Sequence, residues 1–92
     1  MVRAFAVYEG EVDSDRFEQH AEICRRVPGA TFRHGRVFGA PVGDPKFAYY
    51  AEFEWPGMEA FKAASRSEEF MATGKDAMEM GVPFHFMFAE IE

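Results

Sequence analysis

The stretch "ATFRHGRVFGAPVGDPKFAYYAEFEWPG", residues 30–57, decides the fold. Its first part sets Phe32, His34, Arg36 and Phe38 against Thr31, Arg33, Gly35 and Val37, the two-residue period of a strand. "KFAYYAEFEW" repeats that period, with Phe47, Tyr49, Ala51 and Phe53 alternating with Ala48, Tyr50 and Glu52. Between them "GAPVGDP" suits neither helix nor strand and reads as the loop of a hairpin. With a hairpin at its centre, the chain is not a simple strand-helix alternation, so the flanking segments settle the class.

Upstream, "FEQHAEICRRVPG", residues 17–29, carries Phe17, His20, Ala21, Cys24 and Val27 at helical spacing, with Glu18, Glu22, Arg25 and Arg26 on the other side. The spacing predicts a helix over 15–27, stopped by Pro28 and Gly29. Before it, residues 2–8 are short, apolar and rich in strand formers, and "EGEVDSD" supplies the acids that suit a helix start. Downstream, Pro56 is expected in the first turn of a second helical region over 58–80. "SRSEE" interrupts that region: Ser65 with Glu68 has capping-box spacing, and Ser67 is a second cap, so a short helix, a kink and a further helix are expected. Gly81 and Pro83 close it, and "FHFMFAEI" is the last strand. The order βαββαβ within a single domain, residues 1–92, is the α+β, ferredoxin-like arrangement: a four-stranded antiparallel sheet with helices on one face.

Composition adds a requirement. A chain this short buries roughly 60 to 65% of its unfolded surface, yet it carries eleven Phe, three Tyr, one Trp and six Met. Strand four is apolar on both parities, Phe84, Phe86 and Phe88 alternating with His85, Met87, Ala89 and Ile91. Both sheet faces therefore ask for cover, and the expected solution is a homodimer whose two sheets form a dimeric α/β barrel. The net charge of −6 and pI near 5.0 argue against nucleic acid. Arg25, Arg26, Arg33 and Arg36 read as a solvated face, with Glu22 expected to pair with Arg26 one helical turn on. A single cysteine allows no intrachain disulfide, and "MVRAFAVYEG" reads as neither a secretory signal nor a membrane span, so a cytoplasmic protein is expected.

No phosphate loop, dinucleotide fingerprint or metal-ligand spacing is present, so no cofactor and no metal are expected. His20 is the sharpest candidate for chemistry. On the apolar stripe of its helix it is either a core histidine bonded to a backbone carbonyl or a proton-transfer group facing a pocket. Cys24, one turn on, forms a thiolate–imidazole pair with it or simply packs. His34 reads as a surface residue; His85 lines either an interface or the pocket. Glu52 is expected to pair with an arginine such as Arg3 or to lie exposed near a strand end. Phe32, Tyr49 and Tyr50, like the other aromatics, are core or the walls of a site for a flat apolar ligand.

These stretches carry a resemblance. "FEQHAEICRRVPG" resembles the helix of EthD-like proteins, members of the dimeric α/β barrel superfamily, in which an aromatic precedes a histidine and Pro-Gly follows. "VGDPKFAYYAEFEW" resembles their loop and third strand, and "MEAFKAASRSEEF", with Ser67 and Asp76 at matching spacing, their second helical region. The departure is Glu22, where the family's helix usually has a proline. The resemblance carries over His20 as the functional residue and covers nearly the whole chain. It implies a cofactor-independent enzyme of catabolism or secondary metabolism, of isomerase, cyclase, dehydratase or monooxygenase type. Its substrate would be an apolar or aromatic carbonyl or hydroxyl compound, with His20 moving a proton. Tyr49, Tyr50, His85 and Phe32 are the substrate-binding candidates that the residue pattern itself supplies, by hydrogen bonding or stacking. A non-catalytic dimeric protein that binds a hydrophobic metabolite is the alternative. A haem-handling relative with His20 or His85 on iron is a third reading.

Overall fold

The computed structural model describes residues 1–92 and places seven elements along the chain: β1 (Val2–Tyr8), α1 (Ser14–Cys24), β2 (Thr31–Arg36), β3 (Tyr49–Trp55), α2 (Met58–Ser65), α3 (Glu68–Glu79) and β4 (Phe84–Glu90). The four strands form one antiparallel sheet in the order β2-β3-β1-β4. The expected ferredoxin-like architecture is therefore present, with the second helical region split in two.

The split falls where the side chains compete best for the backbone. Ser67, not Ser65, is the cap: its hydroxyl accepts the Phe70 N–H at 3.1 Å and donates to the Ala64 carbonyl at 2.6 Å. Ser65 instead donates back to the Lys62 carbonyl at 2.8 Å. Pro56 is not in the first turn of α2. Trp55 still pairs with Val2 in the sheet, so both Pro56 and Gly57 are used in turning from strand to helix, and Gly57 holds the extended cap position. The loop over residues 37–48 is irregular and closes with the Val37 N–H on the Ala48 carbonyl.

Strand alternation sorts the side chains between two faces. Val2, Ala4, Ala6 and Tyr8 of β1 and Tyr49, Ala51, Phe53 and Trp55 of β3 are buried under the helices. One end of this layer is solid: Trp55, wholly enclosed, donates its indole N–H to the Pro28 carbonyl at 3.1 Å and packs against Phe53, Phe61 and Phe70. Just beyond, Gly29 takes a positive φ of 72°, the left-handed turn that ends the α1 segment. Tyr8, Phe17 and Tyr49 pack edge-on or tilted at the other end.

The phenylalanines of β4 also belong to the helix side, since Phe84, Phe86 and Phe88 oppose Tyr8, Ala6 and Ala4. Phe84 packs on Tyr8, Phe86 on Phe70, and Phe88 on Phe61 and Phe70, but β4 is an edge strand that the helices only partly overhang, and Phe88 remains 55% exposed.

The uncovered face is charged at one end and apolar at the other. Arg3 lies 2.7 Å from Glu54 and 2.9 Å from Glu52, and Arg33 sits within 3.4 Å of both acids, so Glu52 is paired as one of the two expectations had it. At the apolar end Tyr50 lies over Gly35, where a Cβ would come within 3.0 Å of its ring. No helix is long and apolar enough to cross a membrane.

Candidate functional site

Helix α1 owes its start to Asp13, whose carboxylate accepts the Arg16 N–H at 2.9 Å. The periodicity of the segment then turns Phe17, His20, Ala21 and Cys24 inward together. On α3 the same spacing buries Thr73 and Ala77 and sets Asp76 beside them, facing α1.

His20 is 4% exposed and both of its ring nitrogens are engaged. Nδ1 lies 2.8 Å from Asp76 Oδ2, and Nε2 lies 3.3 Å from Cys24 Sγ. Arg16 grips the same carboxylate with both branches of its guanidinium, at 2.8 and 3.1 Å. That fork holds the Asp76 carboxyl below its ordinary range, burial opposing it and the His20 bond adding to it. It also offsets the unfavourable position of an acid near the C-terminal end of a helix.

The protons follow from this arrangement. An ionised Asp76 only accepts, so His20 Nδ1 carries the hydrogen and Nε2 keeps the lone pair. Burial pushes the His20 pKa down, and this outweighs the bond to Asp76, which pulls it up; the ring is neutral and basic at Nε2. Burial also pushes the Cys24 thiol up to about 12. Cys24 is therefore a neutral S–H donating to Nε2, and the thiolate–imidazole pair is not what forms.

His20 and Cys24 line a mostly apolar cavity of about 70 Å³ between the helices and the sheet. Ala6, Tyr8, Phe32, Ala51 and Phe53 form its floor, and Phe70, Thr73, Gly74 and Ala77 its roof, with Phe84 and Phe86 at the β4 side. Gly74 and Phe86 are exposed and mark the opening. A space of this size holds several waters or part of a small organic molecule, since one water needs roughly 10–15 Å³.

Of the substrate-binding candidates, Phe32 lines this cavity. Tyr49 is on the same side of the sheet but packs beyond the cavity wall, its hydroxyl 2.6 Å from His34 Nδ1. Tyr50 and His85 belong to the opposite face, paired with Val7, because neighbouring strand residues alternate sides; neither reaches His20. His85 lies 2.7 Å from Glu9 on the surface. His34 is not a surface residue either: it is half-buried between Phe17, Phe32 and Tyr49. Glu22 pairs with Arg25 at 2.6 Å and not with Arg26, because α1 ends at Cys24 and Arg26 lies beyond its helical spacing. No group of three or more His, Cys, Asp or Glu side chains is arranged around a common metal position.

Asp76 and Arg16 are the partners of the His20 cluster that the pattern along the chain does not disclose. They lie 56 and 60 residues from the groups they bind, and each sits on a helix whose own periodicity assigns it to a half-exposed flank.

The chain matches no protein-family profile and no curated protein. Among solved structures it is similar to an ethyl tert-butyl ether D (EthD) family protein from Bacillus halodurans C-125, with 31% identity, a TM-score of 0.81 and coverage of 100% of this chain and 99% of that one. It is also similar to the hydroxynitrile lyase of Passiflora edulis, at 15% identity and a TM-score of 0.75 over 99% of this chain and 93% of the lyase. A dimeric ferredoxin-like protein of unknown function from Jannaschia sp. CCS1 aligns at 17% identity and a TM-score of 0.74 over 98% of each chain.

Proposed function

This chain belongs to the EthD family, and we propose that it is a cofactor-independent enzyme acting on a small apolar or aromatic carbonyl or hydroxyl compound, with His20 as the proton-transfer residue. One observation carries the reading: a neutral histidine, oriented by a carboxylate that an arginine clamps and engaged at Nε2 only by the weak S–H donor of Cys24, lines a mostly apolar cavity. Geometry of this kind holds the imidazole in one tautomer and stabilises the imidazolium formed when it takes a proton. The water-poor surroundings strengthen both effects. A lyase on the same fold supports small-molecule chemistry on this scaffold without fixing the reaction. The site would work in the cytoplasm with no bound group beyond the substrate.

The working form in this reading is a homodimer. Support comes from Phe86, Met87, Phe88 and Ile91, all 39% exposed or more, from the apolar half of the uncovered sheet face, and from the dimeric neighbour. Light scattering of the dilute protein is expected to give twice the chain mass; a monomer would remove this part.

The catalytic assignment is tested by incubating the protein in D₂O with a panel of small aromatic ketones and phenols, following loss of C–H signals by proton NMR. Wild type is expected to accelerate exchange at a carbon next to a carbonyl or hydroxyl-bearing carbon, and His20→Ala to abolish the acceleration while retaining the ligand. Equal exchange in both proteins would remove His20 from the mechanism.

A further inference from the structure

The cavity has four polar side chains in its wall, and three of them have their hydrogens committed. Thr73 donates to the Phe70 carbonyl at 2.6 Å, Cys24 donates to His20 Nε2, and His20 donates through Nδ1 to Asp76. The fourth is Tyr8, at the end of β1. Its residue is 1% exposed, its ring is wedged between Phe17, Tyr49 and Phe84, and its hydroxyl has no hydrogen-bond partner within the protein.

Such a group is costly if sealed off, since a buried hydroxyl without a partner loses its bonds to water and gains none in return. Yet the Tyr8 oxygen is not fully enclosed. With protein partners absent and bulk solvent nearly absent, the remaining direction for its O–H is the cavity that it lines with His20. Burial, with smaller contributions from Cys24, Tyr49 and Asp76, pushes the phenol pKa up, so the group stays protonated and donates.

We propose that Tyr8 hydrogen-bonds the carbonyl oxygen of a small ketone or aldehyde whose adjacent C–H bond faces His20 Nε2. This inference rests on the proposed reading of the cavity as a ligand site and names the substrate class. The step balances without any further reactant. Nε2 takes the proton from the carbon next to the carbonyl, and the C–H electron pair becomes the C=C bond. The π pair of the carbonyl moves onto oxygen, where the hydrogen bond from Tyr8 shortens against the growing negative charge. The imidazolium, held by Asp76, then returns the proton to the same carbon or to another carbon of the conjugated system, giving exchange or a shifted double bond. The S–H bond of Cys24 to Nε2 is a weak one and is exchanged for the substrate contact. Tyr8 supplies a fixed donor on the sheet floor, and His20 a base on the helix above it.

The test uses two probes of matched shape, acetophenone and α-methylstyrene, which differ in whether an oxygen is present. Titrations are followed by amide shifts of the lining residues in wild type and Tyr8→Phe. Tyr8→Phe is expected to weaken acetophenone about two- to tenfold and to leave α-methylstyrene unchanged, the size of one neutral hydrogen bond. The carbonyl stretch of bound, carbon-13-labelled acetophenone is expected at lower frequency in wild type than in Tyr8→Phe. Wild type alone decides the question if the variant folds poorly: a bound carbonyl stretch equal to that in hydrocarbon solvent would overturn the Tyr8 role. Equal loss or equal retention of both probes in Tyr8→Phe would overturn it too, while leaving the cavity as a ligand site. If neither probe shifts the lining residues of wild type, the ligand-site reading falls and this inference with it.

Discussion

On the helix side of the sheet Val2, Ala4, Ala6 and Tyr8 lose nearly all contact with water, while Arg3, Phe5 and Val7 of the same strand, facing the other way, stay half-buried. Both sides contain an arginine bound to carboxylates. Under the helices, Arg16 and Asp76 fix the protons of one buried ring; on the open side, Arg3 and Arg33 zip Glu52 and Glu54 across three strands. What separates them is the third partner, since Asp76 also binds the buried His20 ring, whereas Glu52 and Glu54 bind only arginines. An ion pair that orients a buried ring changes what that ring can do, whereas one that links only partly exposed side chains mostly fixes register.

The largest effect that could break this comparison lies at the solid end of the helix side. Trp55→Ala is expected to cost about 3–5 kcal/mol in urea unfolding, because an enclosed indole and its bond to Pro28 are lost together. A loss below about 1 kcal/mol would mean that this layer is not the core.

Asp76→Asn comes next. It weakens the hold on His20 and strands part of the Arg16 fork, for an expected loss of about 1–3 kcal/mol. The same substitution replaces an acceptor-only carboxylate with an amide whose NH2 donates to Nδ1 and favours the other tautomer, so D₂O exchange of a bound ketone is expected to fall with it. Unchanged stability and exchange would make the Arg16–Asp76–His20 chain ornamental.

The pH dependence of stability has a definite sign. The folded His20 pKa lies below its ordinary 6.5, so as pH falls from that value the unfolded chain takes up the proton first and stability declines until the folded pKa is reached. The folded Asp76 pKa is likewise lowered from 3.8, and its contribution is present above that value and lost as pH falls through the folded pKa. In unfolding curves from pH 7 downward, His20→Ala is expected to flatten the first decline; a wild-type stability that rises below pH 6.5 would contradict it.

The smallest effect belongs to the open side. Arg33→Ala, at a side chain 45% exposed, is expected to leave the urea midpoint nearly unchanged, with less effect still in high salt. A loss as large as that of Asp76→Asn would erase the distinction between the two faces.

Much of this was legible along the chain, for identifiable reasons. Hairpin and helices follow from periods of two and of 3.6, and the inward turn of His20 from its company with Phe17, Ala21 and Cys24. The role of Asp76 was not legible, because it depends on two helices meeting at one register. Tyr8 reads as one more strand aromatic until its neighbours are known to leave its hydroxyl without a partner. Tyr50 and His85 were misplaced for a simpler reason: β4 is apolar on both parities, so its pattern alone does not say which face the helices cover. The adjacent Tyr49 and Tyr50 could never share a face of one strand.

The central claim is that His20 is a neutral base, protonated at Nδ1 and held at Nε2 only by the weak Cys24 S–H donor. Nitrogen-15 NMR of the histidine rings tests it directly. At pH 6.5 the His20 ring is expected to be mostly neutral with its proton on Nδ1, and Asp76→Asn to disturb that tautomer. An imidazolium at that pH, or a neutral ring carrying its proton on Nε2, would contradict the account.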